Sequence, residues 1–543
     1  MNRPNIHPHI LDLNSDLEKG NLTRRQFLRY ASLLGFSTAA SIGLVQMVRP
    51  PEAQAITYGG KLKVSGILTG IKHPAQAKWI APSQIIRQIA EYLTFTDVDN
   101  ITRPYLLQSW EADEELRTWT LHLRKGIFFN NAYEMTADDV IFSFNQWLDR
   151  DIGSPMKAIL GPYLDTTGIE KVNRYQVRLH LNRPEIAVPE HLFYYPAVIL
   201  NHRTFEGSFL ETPHGTGPFT LETFQEGKSC TLKKRMNYWQ PGLPFLNEIE
   251  FVDLGFDTAR RVKALKAGKI DVAELSGSDE LDAFEMMKGD RRIRIEPIAT
   301  ARVNVLRMRV DREPWQDNRV RTALKLCQHR EKILLLAGQK QGQLGQDCHV
   351  SPGHPEFCRK PAIKFDRRKA RSILLEAGYP DGLDVTLTIG DRWPDIQKYA
   401  AILQSDAAEA GFRISIDRIS DQKYKQSFTE IDFGITPWTH RPLGTMALNL
   451  AYTADAEGVP TPLNETRWVD DEFSKLLDQA NATLDLKERR KLFCRLEDIQ
   501  IERGSIGIAW WQNRWTGVLK KVEGLKTHPS GYLILDKVWV RKS

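Results

Sequence analysis

Beyond residue 55 this chain has no apolar run long enough to cross a bilayer. It has no G-x-x-x-x-G-K-S/T loop, so any ATP hydrolysis it depends on belongs to a partner. It also lacks G-x-S-x-G and H-E-x-x-H, the signatures of serine hydrolases and zinc peptidases. Internal repeats, low-complexity stretches and Ser/Gly tethers are missing, which excludes solenoids and domains strung on a flexible linker. Charge of one sign is not gathered anywhere. The formal net charge is +6, and the short basic runs Arg291-Arg292 and Arg489-Arg490-Lys491 read as solvated surface, so nucleic-acid binding is not expected. Cysteine is scarce: five in 543 residues, an odd count that leaves at least one unpaired.

What is present begins at the amino terminus. Thr23-Arg24-Arg25-Gln26-Phe27-Leu28 sets two arginines before apolar residues. A run diluted by Gly, Ser and Thr follows from Tyr30 to Val48, and Ala53-Gln54-Ala55 closes the segment with small residues. These are the three regions of an export signal, and the paired arginines point to the twin-arginine (Tat) translocase, which carries folded cargo. Pro50-Pro51 and the polar dilution argue against a membrane anchor, and no cysteine near the cleavage site could carry a lipid. Residues 56 onward are therefore expected to be free in a periplasm. The leader holds six Lys/Arg and four Asp/Glu, so the mature chain carries a net charge of +4, too mild for a polyanion partner.

The mature chain is too long for a single core. Alternation of apolar and polar residues predicts strands at Lys61–Leu68, Trp119–Leu123, Val177–Leu181, Val303–Val310, Leu383–Ile389 and Arg413–Ile419, and a pair at Phe219–Phe224 and Cys230–Lys234. Helical periodicity predicts Pro82–Leu93, Thr258–Ala267 capped by Gly268, one long helix over Asn318–Leu336, Arg367–Ala377, Ile396–Ala410 and two helices within Asp470–Arg503. Thr136-Ala137-Asp138-Asp139 has the spacing of a capping box. Trp510–Val540 reads as rich in strand. The class is α/β with mixed sheets in several lobes. Cys327 and Cys494 fall in amphipathic helical patterns and read as small core residues, whereas Cys348 and Cys358 flank a loop with Pro352, Gly353 and Pro355 and are the best disulfide candidates in an oxidising compartment.

Several segments, taken in order, resemble the family 5 extracellular solute-binding proteins, the dipeptide, oligopeptide and nickel receptors of ABC importers. They are Pro104-Tyr105-Leu106-Leu107-Gln108-Ser109-Trp110-Glu111, Thr118-Trp119-Thr120-Leu121-His122-Leu123-Arg124-Lys125-Gly126-Ile127-Phe128-Phe129, Thr136-Ala137-Asp138-Asp139-Val140, Gly215-Thr216-Gly217-Pro218-Phe219, Asn237-Tyr238-Trp239 and Asp317-Asn318-Arg319-Val320-Arg321-Thr322-Ala323-Leu324. The resemblance spans the mature chain. It implies a two-lobed clamp of the large, three-subdomain class: lobe I over 56–303, lobe II over 304–506, and 507–543 returning to lobe I. It also implies a monomeric receptor, without catalysis or cofactor, that encloses a small molecule or peptide between its lobes and hands it to an ABC permease in the inner membrane.

The candidate ligand residues depart from that family. Peptide-binding relatives carry a Trp-x-x-Asp segment whose carboxylate meets the ligand's α-amino group; the matching stretch here is Trp438-Thr439-His440-Arg441, with a guanidinium in place of the carboxylate. Arg441 would repel an ammonium and favour a carboxylate or phosphate. Asp391-Arg392-Trp393-Pro394 follows a strand and precedes a helix, where ligands of open α/β sheets commonly sit; Arg392 matches the arginine with which relatives hold a ligand carboxylate. Trp393 and Trp438 would be flat walls of the site, with His440 beside them. Gly215-Thr216-Gly217-Pro218 reads as a structural turn. The rival class is a Tat-exported, metal-dependent enzyme using Cys348, His349, His354 and Cys358, although Pro352 and Pro355 break any helix that would present both histidines together. A sensory receptor of the same fold is the third reading.

Overall fold

The alternation at Leu383–Ile389 becomes the strand Leu383–Gly390, because Val385, Leu387 and Ile389 are buried while Asp384 and Thr386 are exposed. The same rule builds most of the computed structural model, which describes residues 56–541 apart from 276–279, 296, 362 and 456. The export signal, residues 1–55, lies outside the described residues. The chain divides into two units. The first takes the described residues up to 275, 283–295 and 515–541, and the second takes 280–282 and 297–514.

The first unit contains a seven-stranded mixed sheet in the order Ile293–Ile295, Gly517–Leu519, Val272–Ala273, Lys61–Gly66, Glu248–Asp253, Ser229–Lys234, Phe219–Gln225. It also contains a four-stranded antiparallel sheet, Leu107–Ala112, Thr118–Leu123, Gln176–His180 and Ile169–Asn173. The expected capping box opens the helix Ala137–Leu148, where the Thr136 N–H donates to Asp139 Oδ2 at 2.8 Å. The expected turn at Gly215–Pro218 is there for closeness. A Cβ on Gly215 would overlap the Ile89 carbonyl oxygen, and one on Gly217 would lie 2.6 Å from it. Two of the segments quoted above converge on one buried acid. Glu91 accepts from Tyr238 Oη (2.5 Å), Trp239 Nε1 (2.9 Å) and Tyr105 Oη (2.9 Å), and burial pushes its carboxyl up to about 7. The region from Trp510 onward holds less strand than expected. Between Val522–Glu523 and Trp539–Val540 the backbone bonds to side-chain amides instead: Gln84 takes the Gly531 carbonyl (2.7 Å) and the Leu533 N–H (2.9 Å), and Gln88 takes the Leu533 carbonyl (2.9 Å).

The second unit is one six-stranded sheet in the order Gly342–Leu344, Ile506–Arg514, Ile298–Met308, Phe433–Trp438, Leu383–Gly390, Phe412–Ile419. Both faces are covered. Leu306, Met308, Ala509 and Trp510 point into a core closed by the helices Asn318–Leu326, Arg330–Leu336, Arg367–Glu376 and Pro394–Ala408. Their neighbours Val303, Val305, Ile508 and Trp511 point into another, closed by Gly444–Ala451, Asp471–Asn481 and Leu486–Arg503. Because Ile298–Met308 lies between Phe433–Trp438 and Ile506–Arg514, it and Ile506–Arg514 belong wholly to this unit. The crossings therefore fall near 297 and 514, not at 303 and 507.

Three readings of single residues need correction. The disulfide joins Cys358 to Cys494, with Cα atoms 5.1 Å apart, and not Cys358 to Cys348. Cys348 is fully buried, its thiol 3.7 Å from Glu497 Oε2, while Cys494, on the helix Leu486–Arg503, is bonded to the loop. Arg489 is not solvated: it is fully buried with Glu356, 3.3 Å away and equally buried. The long helix expected over 318–336 breaks at 327–329, where the His329 ring caps a new start by accepting from Lys332 N–H (3.1 Å). The break lets Arg330 reach Asp347 at 2.6 Å, both buried.

Candidate functional site

Strand direction gathers the candidate residues. Phe433–Trp438 runs antiparallel to Ile298–Met308 and parallel to Leu383–Gly390, which is parallel to Phe412–Ile419. The carboxyl ends of these three strands, that of Ile506–Arg514 and the amino end of Ile298–Met308 therefore share one end of the second unit's sheet. The segment 297–514 of the second unit begins and ends at this end. Trp438 ends one of the strands that stop there, and Arg392, Trp393, His440 and Arg441 follow such strands.

Each of the five is held differently. Arg392 is half-buried, with Nη1 3.5 Å from Asp421 Oδ2 and its guanidinium carbon 6.0 Å from the centre of the Trp393 ring. Trp393 directly precedes the helix Pro394–Ala408 and packs on the first core, edge-on to Tyr424 at 6.0 Å. Trp438 donates from Nε1 to Glu465 Oε1 at 3.0 Å and meets the His349 ring edge-on at 5.1 Å. His440 is buried, and its Nδ1 accepts from the Ala301 N–H at 2.9 Å, which ties the end of Phe433–Trp438 to the strand beside it. Arg441 is half-exposed. Its Nη1 donates to Thr439 Oγ1 (3.1 Å), and its carbonyl accepts from His354 Nε2 (3.0 Å).

The electrostatics are dominated by groups that stay fixed near neutral pH. Burial, and then the Arg441 charge, push the His349 imidazole down to about 3, so the ring is a neutral wall. Its Nδ1 shares a hydrogen bond of 2.9 Å with Tyr452 Oη. A neutral His349 adds no positive charge of its own beside Arg441. The loop from 348 to 358 thus supports Arg441, and among the described residues no group of three His, Cys, Asp or Glu side chains could hold a metal ion. Cys358 is consumed by the disulfide, His349 is bonded to Tyr452, and His354 spans the Ser351 N–H (3.0 Å) and the Arg441 carbonyl.

Sequence reasoning missed four residues at this end. Asp395 Oδ2 accepts from Asn304 Nδ2 (2.7 Å) and Gln512 Nε2 (3.0 Å), and burial raises its carboxyl above the usual range. Glu465, fully buried, holds Trp438. An acid in the first turn of a helix reads as a capping residue, which hides Asp395. Asn304 and Gln512 lie inside strands, and Glu465 in a loop without periodicity, so none carries a local signal. A separate cavity of about 30 Å³ in the first unit, lined by Arg87, Glu91, Tyr105 and Asp536 among others, has room for water but not for a peptide.

Comparison with known proteins gives the family and the fold. Residues 102–457 match the family described as bacterial extracellular solute-binding proteins, family 5. A di/tripeptide-binding protein of Pseudomonas aeruginosa is 26% identical, over 81% of this chain and 86% of its own. HbpA2 from Haemophilus parasuis has the same fold, with a TM-score of 0.76 at 22% identity, over 89% of this chain and 100% of that one. A periplasmic binding protein solved with agropinic acid, AgaA from A. tumefaciens R10, has a TM-score of 0.73 at 22% identity, over 89% of this chain and 99% of that one. Both solved structures thus share the fold of this chain.

Proposed function

The chain belongs to the bacterial extracellular solute-binding proteins, family 5, and on that premise we propose that it is the periplasmic receptor of an ABC importer for a small, acidic, peptide-like solute. It captures and delivers; it does no chemistry. The peptide-like class is supported by the di/tripeptide-binding relative. The acidic preference is supported by one feature: the stretch that follows Phe433–Trp438 carries a half-exposed Arg441 at the position where the family resemblance implies a carboxylate in peptide-binding relatives. A guanidinium there attracts carboxylates, and a ligand ammonium meets repulsion that a partly desolvated site strengthens.

The test is calorimetry on the full chain with an acidic dipeptide and a simple one. Arg441→Ala is expected to lose a charge-assisted contact of about 1.5–3 kcal/mol, weakening the acidic ligand roughly tenfold to a hundredfold. Arg441→Asp is expected to reverse the preference, because it supplies a carboxylate and adds repulsion against anions. Tight binding of the simple dipeptide, unchanged in Arg441→Ala, would remove Arg441 from the site.

Export belongs to the same reading. Folded cargo carrying Arg24-Arg25 is matched to the Tat translocase. Replacing both with lysine is expected to hold the precursor in the cytoplasm, and amino-terminal sequencing of the exported protein is expected to begin at Ile56. Unimpaired secretion of the double-lysine variant would overturn the Tat route and leave the receptor reading standing.

A further inference from the structure

The candidate ligand residues described above all belong to the second unit, yet the first unit has strand ends of the same kind. Lys61–Gly66 runs parallel to Glu248–Asp253 on one side and to Val272–Ala273 on the other. The carboxyl ends of three adjacent strands therefore share one end of the seven-stranded sheet, the end at which open α/β sheets commonly receive ligands. The loops that follow are tied into one rim. Asp253 accepts from the Leu68 N–H at Oδ2 and from the Gly255 N–H at Oδ1, both at 2.7 Å. The Glu274 N–H donates to Ser65 Oγ at 2.9 Å. Arg261, fully buried on the helix Thr258–Lys266, donates to the Gly255 carbonyl from Nε (3.0 Å) and Nη2 (2.5 Å), and to the Glu274 carbonyl from Nη1 (2.7 Å).

This rim displays Phe256, the residue directly after Gly255, at 60% exposure. A single exposed apolar residue is ordinary on a protein surface. The mount is not ordinary: the backbone beside the ring is pinned by Asp253 and by a buried arginine whose charge is met by Glu274 at 3.1 Å. A second large ring lies toward the same end. Trp79, 62% exposed, closes the segment that leaves Lys61–Gly66 and precedes the helix Ile80–Ile89. That helix finishes at the turn opening Phe219–Gln225, where the Gly217 N–H donates to the Ile89 carbonyl at 2.8 Å. Phe219–Gln225 is antiparallel to Ser229–Lys234, which is antiparallel to Glu248–Asp253, so the turn is at the amino ends of the parallel strands. The helix thus runs back along the sheet, and Trp79 starts it from the side of the carboxyl ends. The residue before it is fixed as well, since the Lys78 carbonyl accepts from Tyr195 Oη at 2.8 Å. Rings held out in water on rigid mounts forgo burial that a loose loop could regain, and they suit an apolar group that arrives from outside.

We propose that this rim is a ligand-contacting surface of the receptor, on which Phe256 and Trp79 receive an apolar side chain of the solute. This deepens the acidic, peptide-like reading and rests on it. The class narrows to acidic peptides that also carry an apolar residue, and Phe256 and Trp79 set the preference for it.

The experiment compares aspartyl-leucine with aspartyl-alanine by calorimetry on the full chain. The two peptides carry the same charges, so the ratio of their affinities reports apolar contact alone. The unmodified protein is expected to bind aspartyl-leucine about tenfold more tightly or better, as burial of the added carbons allows. Phe256→Ser and Trp79→Ser are each expected to lower that ratio about threefold, and the double variant to bring it close to one. Aspartyl-alanine is expected to bind all three variants within about threefold of the unmodified protein, which reports that they are folded. A ratio near one in the unmodified protein, which needs no variant, overturns the proposal; so does a ratio that survives in the double variant. If neither peptide binds the unmodified protein, the acidic-peptide reading itself falls and takes this one with it, an outcome distinct from equal binding of both.

Discussion

Replacing Cys358 and Cys494 together with serine is expected to destabilise the second unit by about 3–5 kcal/mol. The bond closes a sequence separation of 136 residues, and in the chain-entropy model a loop of that length restricts the unfolded chain by about 5 kcal/mol. Measured losses for native disulfides run at about 2–5 kcal/mol. The effect is local in its structural consequences. Cys358 ends the loop that carries His349 and His354, and the partner cysteine lies on the helix Leu486–Arg503. Cutting the bond leaves the loop held by weaker contacts, such as the Cys358 N–H to Glu497 Oε1 at 2.8 Å. Because His354 supports the Arg441 carbonyl, ligand affinity is expected to fall along with stability. Denaturation of the oxidised protein, the reduced protein and the double-serine variant checks the first claim. Peptide mapping without reductant checks the pairing: a Cys348–Cys358 fragment, or a double-serine variant as stable as its parent, would overturn it.

The sequence made the strands and most helices legible for a simple reason: their periodicity is local. Val385, Leu387 and Ile389 alternate within eight residues, and the capping box of Thr136 and Asp139 closes within four. What it did not disclose depends on partners far along the chain. Cys358 meets Cys494 through folding of the whole second unit, and nothing in the spacing of Cys348 and Cys358 could have ruled out the shorter loop. The break at 327–329 accompanies a contact between Arg330 and Asp347, distant partners that helical periodicity cannot register. The candidate site was half legible. Residues just after a strand, such as Arg392 and Arg441, are exposed by topology, so position alone nominates them. Asp395, Asn304 and Gln512 form a group only because three elements converge, and each alone has an ordinary structural explanation.

Truncating Glu465 is expected to be the most damaging single change near the site, at about 3–5 kcal/mol. Glu465 and Arg307 are an ion pair almost wholly removed from water, with side-chain exposures of 3% and 1%. Arg307 also donates to the Ile431 carbonyl at 2.6 Å and to Thr436 Oγ1 at 2.8 Å, while Glu465 Oε1 accepts from Trp438 Nε1 at 3.0 Å. Removing one member leaves the other buried and uncompensated, and that penalty exceeds the net worth of the pair. The asymmetry gives a sharp control: Glu465→Ala should be far worse than Arg307→Met combined with Glu465→Leu, which removes both charges and fills the space. Glu465→Gln isolates the functional part. It keeps the shape and an acceptor for the Trp438 indole but weakens the grip, so its cost in stability should be smaller, while loss of Trp438 orientation should still appear as weaker binding of aspartyl-alanine. Thermal unfolding and calorimetry on these three variants decide the matter. A Glu465→Ala variant within 1 kcal/mol of the parent, or a double variant as damaged as the single one, would mean that the buried pair neither stabilises the strand end nor positions Trp438.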